Sequence, residues 1–414
     1  MRPRLSQYIL YCTSFVLIGG ALYLRIISYP VISADYVSSL SHWLDALRGS
    51  PGLEAFAKPF SDYPPLYLYA LKGISYLPGF DLYWIKTLSV VFDVVLALTA
   101  VTIVTKTLGG RMTPPYRLLT FAVIFAIPTV ILNGALWGQC DVIYATCVLL
   151  SLYAMLTDRP VAAVCFFALA FSLKLQSVFL APVICGYVLA KNGGWRLVIL
   201  VPLIFAATLL PAAAAGGSFG YLFFTYFRQA GEFHQLSLSA PSIFSLVDLH
   251  ASTPSMYSSF AAIGYVICLL VVSTVIIQSV RLFSWRQAQD GRTIGEEMES
   301  RFNRRLVFVS LISALAVPFF LPHMHERYFY LADVLSTVYA LIDPRRFYIP
   351  LIVVTSSFFA YMSFLSSSVP FFGRLIINLG IFGGSIFILL VSLLPRFLSI
   401  GDRILTAPPR PRGT

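Results

Sequence analysis

Charged residues are scarce in this sequence. Only 11% of its 414 residues are Asp, Glu, Lys or Arg, whereas 58% are hydrophobic. Soluble globular domains carry about 25% charged residues, so the composition excludes an ordinary soluble protein. Apolar runs long enough to cross roughly 30 Å of hydrocarbon recur from Tyr8 to Arg396. We therefore predict an all-α, polytopic integral membrane protein that forms one domain over residues 1–414.

Cysteine motifs and glycosylation signals are also absent. The six cysteines are scattered, no C-x-x-C pair occurs, and the pattern indicates neither a disulfide framework nor a metal site. The lack of an N-x-S/T sequence favours a bacterial source. The first apolar run continues to Ile27 without a clear cleavage site, so we interpret it as a retained span rather than a signal peptide.

About twelve transmembrane helices are predicted, with a range of eleven to thirteen. A further apolar stretch at 63–79 would, as a full span, place the basic segment 106–117 outside, against the positive-inside rule. We therefore expect 63–79 to be only partly inserted. The predicted spans are 8–28, 84–106, 116–132, 139–157, 160–173, 175–190, 197–215, 258–281, 305–321, 327–342, 347–366 and 373–395.

The basic loops orient the chain. The net charge of +11 arises mostly in short loops that mark the cytoplasmic side, so no nucleic-acid partner is expected. Both termini are then cytoplasmic, as are the tail 397–414 and the loop 281–305, whose alternating charges predict a solvated interfacial helix. The main external loops are 29–83 and 216–257. The sequence carries no signal for an oligomeric state.

The first external loop contains two acids in similar settings. Apolar residues recur at helical spacing from Tyr36 to Arg48, which predicts an amphipathic helix on the membrane surface. Asp35 precedes it and could cap the helix or serve as a general base. Asp62 precedes Pro64 in the same way, so helix capping and a site role both remain open.

Polar residues also collect at three other predicted external helix ends. Gln139 and Asp141 could contact substrate or pair with a neighbouring helix, since an intramembrane acid usually has a partner or a function. Lys174, followed by Gln176, could neutralise a phosphate or extend to the interface. The third group suggests a hydrogen-bonding clamp on an anion or a polar turn, and its H-x-H-E pattern lacks a further zinc ligand. That group comprises His323, His325, Glu326 and Arg327.

Three short motifs resemble the GT-C superfamily of multispan glycosyltransferases. The pattern D-Y…H-W…D-Y-P-P-L is similar to that of the glucosyltransferases that extend lipid-linked oligosaccharides from dolichyl-phosphate-glucose. Their H-V-H-E-K stretch is matched by H-M-H-E-R here, with Arg327 in place of Lys, and the loop between Trp43 and Asp62 is shorter. The W-G-Q-x-D stretch also resembles bacterial relatives of glycosylphosphatidylinositol mannosyltransferases. The matched residues are Asp35, Tyr36, His42, Trp43, Asp62 to Leu66, Trp137 to Asp141 and His323 to Arg327.

The resemblance implies an inverting transfer of a hexose, with mannose or glucose favoured, from a polyprenyl-phosphate sugar to a hydroxyl group. The acceptor would be a lipid-linked glycan, polysaccharide or protein at the external face of the membrane. Asp35 would be the catalytic base, and no metal cofactor is expected. Phosphate-binding candidates are His325, Arg327, Lys174 and Lys86; substrate-binding candidates are Asp62, Tyr63, His42, Trp43, Gln139, Asp141, Gln176, His323 and Glu326.

A transporter or flippase of a lipid-linked or anionic substrate is the alternative, because broken helices and polar residues also build transport sites. Such a protein should have a polar path through the membrane midplane and internal repeats. Neither is evident, and Asp93 is the one acid well inside a predicted span. We expect a bacterial inner-membrane protein with its active site facing the periplasm or exterior.

Overall fold

The computed structural model describes residues 5–229, 235–246, 254–289, 295–365 and 373–399. The structure is 82% helical with almost no strand, as predicted. Prolines begin several helices because the first turn has no partner for their missing N–H. The α-helices are α1 Leu5–Ser28, α2 Ser41–Arg48, α3 Pro65–Ile74, α4 Asp81–Leu108, α5 Pro114–Phe125, α6 Pro128–Ile131, α7 Asp141–Leu156, α8 Pro160–Leu173, α9 Ala181–Ala190, α10 Leu200–Ala214, α11 Phe219–Phe223, α12 Thr225–Gln229, α13 Pro254–Ala288, α14 Glu296–Phe320, α15 Tyr330–Ile342, α16 Tyr348–Leu365 and α17 Gly373–Leu398.

Shorter elements connect these helices. Two π-helical turns span Tyr36–Leu40 and Leu132–Trp137, and 3-10 turns include Glu54–Ala57, Leu175–Leu180 and Gly194–Ile199. Strand β1, Ser237–Leu238, pairs in parallel with β2, Met324–His325. This pairing attaches the predicted second external loop, 216–257, to the turn between α14 and α15.

The chain is a multi-pass membrane protein. In the described ranges, six helices are long and apolar enough to cross a membrane, or seven if α5 and the segment from Pro128 to Trp137 form one span bent by 55°. Each of the twelve predicted spans overlaps one of these helices or a shorter apolar helix of 10–17 residues. Because the shorter helices do not count as candidate spans by length, the total of twelve stays a prediction. Helix α3 has ten residues and a length of about 15 Å, half of what a span requires.

The two ends of the helix bundle hold different sets of residues. Side chains from predicted cytoplasmic segments contact one another, as in the ion pairs Lys106–Glu299 at 2.7 Å and Lys191–Asp158 at 2.6 Å.

The segment 281–305 is not a separate interfacial helix, because its described residues extend α13 and begin α14, where Phe302 is buried. Three predicted segments lie partly outside the described residues: 230–234 and 247–253 of the loop 216–257, 290–294 of the loop 281–305, and 400–414 of the tail.

The predicted first external loop, 29–83, packs largely as the amphipathic pattern predicts, except that Val37 is 59% exposed. Leu40, Trp43, Leu44 and Leu47 are buried, and Gly49 follows the last helical residue. Two basic side chains fix the far end of this helix. Arg48 donates twice to Asp81 at the start of α4, at 2.6 and 2.7 Å, and Lys72 of α3 donates to the Leu47 and Ser50 carbonyl oxygens.

A buried ion pair joins three helices inside the bundle. Arg25 of α1 donates to Asp93 Oδ2 of α4 from Nε at 3.1 Å and from NH2 at 2.8 Å, and both side chains are at most 2% exposed. The same guanidinium donates to the carbonyl oxygen of Phe125 at 2.9 Å, where α5 ends before Pro128. Arg25 thereby satisfies a backbone group at the bend that leads to the Leu132–Trp137 turn.

Candidate active site

Two cavities contain most of the predicted site residues. The first, the carboxylate cavity, has a volume of about 450 Å³ and is lined by Asp35, Trp43 and Gln139. The second, the apolar cavity, has a volume of about 290 Å³ and is lined by Leu175, Phe179, Tyr265 and Leu321 with Lys174 and Gln176. Both cavities share a wall formed by Asp62, Tyr63, His325 and Arg327.

Asp35 is held by a segment about a hundred residues further along the chain. Its Oδ2 accepts hydrogen bonds from Trp137 Nε1 at 3.0 Å and from Gln139 Nε2 at 2.6 Å. The prediction that this side chain caps the following helix is wrong, because it makes no capping hydrogen bond. Ser33 Oγ instead accepts from the Tyr36 backbone N–H at 3.3 Å, which leaves the Asp35 carboxylate for the cavity.

The sequence Trp137-Gly138-Gln139 makes this contact through a local bend. Gly138 has φ +81°, a left-handed conformation that glycine adopts without a steric penalty. Its position separates a π-helical turn from α7, and a Cβ atom there would lie 3.3 Å from Leu82 Cδ1. The bend directs the side chains on both sides of the glycine to one carboxylate oxygen.

Arg327 occupies the wall between the two cavities. Its NH1 lies 3.0 Å from Glu326 Oε1 and 3.8 Å from Asp35 Oδ2, and its guanidinium carbon lies 5.2 Å from the centre of the Trp137 ring. The side chain is 15% exposed, and a guanidinium stays protonated at any physiological pH. A cation therefore stands beside the candidate base and faces both cavities.

Glu326 is the buried counter-ion of this turn, with a side chain 3% exposed. Burial alone would raise its pKa, but the His325 side chain, 3.7 Å away, and the charge of Arg327 outweigh burial, so the pKa is lowered. Glu326 therefore stays ionised at neutral pH. Glu326 lies beside both His325 and Arg327 and also borders the carboxylate cavity.

Asp62 and Tyr63 line both cavities from the predicted first external loop. Asp62 does not cap α3 with its side chain, contrary to one of the two predictions, and the side chain is accessible. The surrounding protein still displaces enough water to raise the pKa of Asp62, despite the charges of Arg327 and Lys174. Tyr63 packs on Trp43 with ring centres 5.1 Å apart.

Asp141 has a cationic partner from a neighbouring helix, one of the two alternatives that the sequence left open. Its Oδ1 accepts from Lys174 Nζ at 2.5 Å, and its Oδ2 accepts from Asn133 Nδ2 at 2.7 Å. Both charged side chains are at most 6% exposed. Lys174 also borders the apolar cavity, so it contributes positive charge there while Asp141 partly neutralises it.

Three predicted site residues have other roles or positions. Lys86 is fully buried and donates to the carbonyl oxygens of Ser28, Tyr29 and Val31, so it supports the chain segment before Asp35 and does not line either cavity. His42 is exposed and lines neither cavity. His323 borders the apolar cavity, but its φ of +65° and its contact with the Gln235 carbonyl oxygen at 2.8 Å indicate a structural turn.

Trp137 is the main site residue that was not predicted individually. It is fully buried, and its only sequence signal was its place in the W-G-Q-x-D motif. The predicted second external loop also contributes Gln235, Leu238 and Ser239 to the carboxylate cavity. The described residues contain no group of three His, Cys, Asp or Glu side chains arranged to hold a metal ion.

The model of glycosyltransferase family 87 matches residues 60–296. The matched segment includes Asp62, Tyr63, Trp137, Gln139 and Lys174, and it begins after Asp35 and ends before the turn that carries Arg327. No curated protein matches the chain.

Proposed function

The chain belongs to glycosyltransferase family 87, and from this premise we propose that it transfers a hexose from a polyprenyl-phosphate sugar to an acceptor hydroxyl with inversion at the anomeric carbon. Asp35 is the catalytic base in this proposal. The reaction takes place at the external face of the membrane and needs no metal ion. Mannose and glucose are the favoured sugars.

The observation that carries the proposal is the placement of Asp35 against Arg327. A carboxylate that is 25% exposed lines a cavity large enough for a sugar, and a guanidinium lies 3.8 Å from it. A base and a cationic donor that line the same cavity can serve one displacement reaction, because the base removes a proton while the cation stabilises the leaving anion.

The proposed reaction is a single displacement and forms no covalent enzyme intermediate. The acceptor oxygen attacks the anomeric carbon while Asp35 takes the hydroxyl proton. The bond between that carbon and the phosphate oxygen breaks, and polyprenyl phosphate leaves with the electron pair. Because attack and departure occur on opposite faces of the sugar, one displacement inverts the anomeric configuration.

The leaving phosphate would bind at the shared wall. Arg327 is the principal candidate because its fork of N–H donors suits phosphate oxygens, and His325 lines both cavities beside it. Lys174 adds positive charge from the apolar cavity. The first isoprene units of the donor would occupy that cavity, whose lining of Leu175, Phe179 and Leu321 suits a hydrocarbon chain.

The sugar and acceptor would share the carboxylate cavity. The Asp62 carboxylate can accept hydrogen bonds from sugar hydroxyl groups, and Trp43 and Tyr63 supply aromatic surface. The acceptor class in this proposal is a lipid-linked glycan, a polysaccharide or a protein that reaches the cavity from the external side. Family membership favours this activity over the transport of a lipid-linked or anionic substrate.

Asp35→Asn tests the role of the base. The substitution keeps the size of the side chain but removes its ability to accept the proton at neutral pH, so turnover should fall by at least about 10²-fold, the lower range for losing general base catalysis. Binding of the polyprenyl-phosphate sugar should persist. Asp45→Asn is the matched control, since Asp45 is an exposed acid on α2. Turnover of Asp35→Asn at the wild-type rate would refute the assignment.

The donor is tested with purified protein and a panel of polyprenyl-phosphate sugars. The expected result is consumption of one of them, with release of polyprenyl phosphate and a product of inverted anomeric configuration. The same assay in excess chelator tests metal independence, and loss of activity that Mg²⁺ or Mn²⁺ restores would contradict it. Consumption of nucleotide sugars instead of lipid-linked ones would overturn the donor class.

The proposed location is a bacterial inner membrane with the cavities facing the periplasm. A Phe80→Cys variant tests the orientation because Phe80 is 42% exposed at the end of the first external loop. A membrane-impermeant thiol reagent should label it from the outside of intact cells. Labelling only after access to the cytoplasmic face would contradict the proposed topology and restore 63–79 as a full, thirteenth span.

A further inference from the structure

We propose that Trp137 and Gln139 are positioning residues that fix Asp35 through one carboxylate oxygen, Oδ2, and leave Oδ1 as the oxygen that accepts the proton. The inference rests on the proposed role of Asp35 as the base. It assigns a function to the W-G-Q sequence, which neither the family match nor the geometry of the cavities assigns by itself.

Both donors converge on the same atom. Trp137 Nε1 and Gln139 Nε2 lie 3.0 and 2.6 Å from Oδ2, and the nearest guanidinium nitrogen of Arg327 also approaches this oxygen, at 3.8 Å. Within the described part of the chain, no group donates to Oδ1, and this atom is not among the buried polar atoms that lack a partner. Oδ1 is therefore the accessible oxygen of the pair.

The two oxygens differ in basicity as a result. Hydrogen bonds and positive charge stabilise electron density on Oδ2, so this oxygen is the poorer proton acceptor. A general base must also approach the hydroxyl proton at hydrogen-bond distance and in a fixed orientation. Holding Oδ2 from two directions restricts rotation of the carboxylate and presents Oδ1 to the cavity.

The segment that holds Oδ2 is itself rigid. The Trp137 ring stacks on Phe364, with ring centres 4.7 Å apart, and meets the edge of Tyr361 at 5.4 Å. The Trp137 backbone carbonyl oxygen accepts a hydrogen bond at 2.7 Å from Oγ of Ser33, which lies two residues before Asp35. The Gln139 carbonyl oxygen accepts from Ser89 Oγ of α4 at 2.8 Å. Backbone and side chains therefore fix the donors relative to the base.

The pH dependence of turnover distinguishes a positioning role from a purely structural one. Hydrogen bonds to an ionised carboxylate favour the ionised form, so losing one should move the acidic limb of the turnover profile to higher pH. Other titratable groups that face the Asp35 carboxylate or line its cavity will remain in the variants, namely Arg327, His325, Glu326, Asp62, Tyr63, Tyr67 and Cys140. A change in the profile can then be attributed to the lost donor.

The experiment compares Trp137→Phe and Gln139→Leu with wild-type protein over a range of pH. Each should move the acidic limb of kcat/KM to higher pH by about 1 unit, the scale expected when one hydrogen bond of roughly 1.5 kcal/mol to a charged group is lost. Each should also lower kcat by about tenfold with little change in KM for the donor. Gln139→Glu, which places a second carboxylate beside Oδ2, should move the limb further in the same direction.

Matched controls exist for both substitutions. Trp84→Phe removes an indole N–H that donates to the Pro78 carbonyl oxygen at 2.8 Å, and Gln278→Leu replaces a buried amide on α13. Neither should move the limb. Thermal unfolding in detergent establishes that each variant is folded, and the Gln139 variants keep the test valid if Trp137→Phe fails to fold.

The outcomes separate this inference from the proposed function. A lower rate at every pH, with the acidic limb of the folded Gln139 variants unmoved, would show a structural role and overturn the inference. Unchanged activity in those variants would also overturn it. Wild-type turnover by Asp35→Asn would instead refute the proposed function, whatever the behaviour of Trp137 and Gln139.

Discussion

Replacing Arg327 with Met should damage stability and turnover through two different partners. The guanidinium contacts the buried Glu326 at 3.0 Å and also stands at the wall where we propose that the donor phosphate binds. Met fills a similar length of the apolar stem but carries no charge. The substitution therefore leaves a buried carboxylate with one cation fewer and removes the strongest anion-binding group from the site.

The two effects have separable magnitudes. Removing one partner of a buried ion pair costs about 3–5 kcal/mol, and we expect about 3 kcal/mol here because His325 stays beside Glu326, 3.7 Å from its Oε2. Losing a donor that stabilises developing negative charge lowers kcat by about 10²–10³-fold. In the double variant Arg327→Met/Glu326→Gln the carboxylate is neutral, so most of the stability should return while turnover stays low.

The measurements are thermal unfolding in detergent and steady-state turnover with the donor identified in the panel. Arg327→Lys is the matched control, because it keeps the charge and loses the planar fork; it should retain stability better than Met and show intermediate turnover. Recovery of turnover together with stability in the double variant would refute the reasoning. Arg327 would then be only the structural partner of Glu326.

Three further predictions concern residues around the site. Arg25→Met should lower the free energy of unfolding by about 3–5 kcal/mol, and Arg25→Met/Asp93→Leu should recover most of it, as measured by unfolding in detergent, because the pair is buried; equal losses in both would contradict this. Gly138→Ala should cost about 1–2 kcal/mol and reduce turnover, because φ is +81° and its Cβ would crowd Leu82; an unaffected turnover would contradict the role of the bend. The lowered pKa of Glu326 means that its ionised form adds stability above about pH 4.3, which is lost as the pH falls through the folded pKa. The melting temperature of the wild type should therefore fall more steeply below this pH than that of Glu326→Gln, and parallel curves would be contrary evidence.

Local patterns in the sequence predict much of the fold. Hydropathy locates the helices because a spanning segment must satisfy its backbone internally and present apolar side chains to lipid along its own length. The helical spacing of Leu40, Trp43 and Leu47 predicts the buried face of the helix that follows Asp35 for the same local reason. The alternating charges of 281–305 misled because a solvated helix and the ends of two long helices have the same pattern.

Contacts between distant residues were beyond the reach of such patterns. Asp35 and Asp62 both precede helices and both look like caps, but only the packing of α4, α7 and the Leu132–Trp137 turn determines that the Asp35 carboxylate meets Trp137 and Gln139. Lys86 has the positive charge that a phosphate ligand needs, yet its ammonium group donates to three carbonyl oxygens. Charge and residue type give the capacity for an interaction without its partner.

The sequence by itself determined a helical membrane protein of the glycosyltransferase class and the short motifs in which its polar residues lie, because hydropathy and motif spacing are properties of neighbouring residues. The tertiary structure alone decided which oxygen of Asp35 is held, which cation stands beside it and which charged residues only support the bundle. Those outcomes depend on where helices from different parts of the chain cross, and the energy of a buried polar group depends on the partner it finds there.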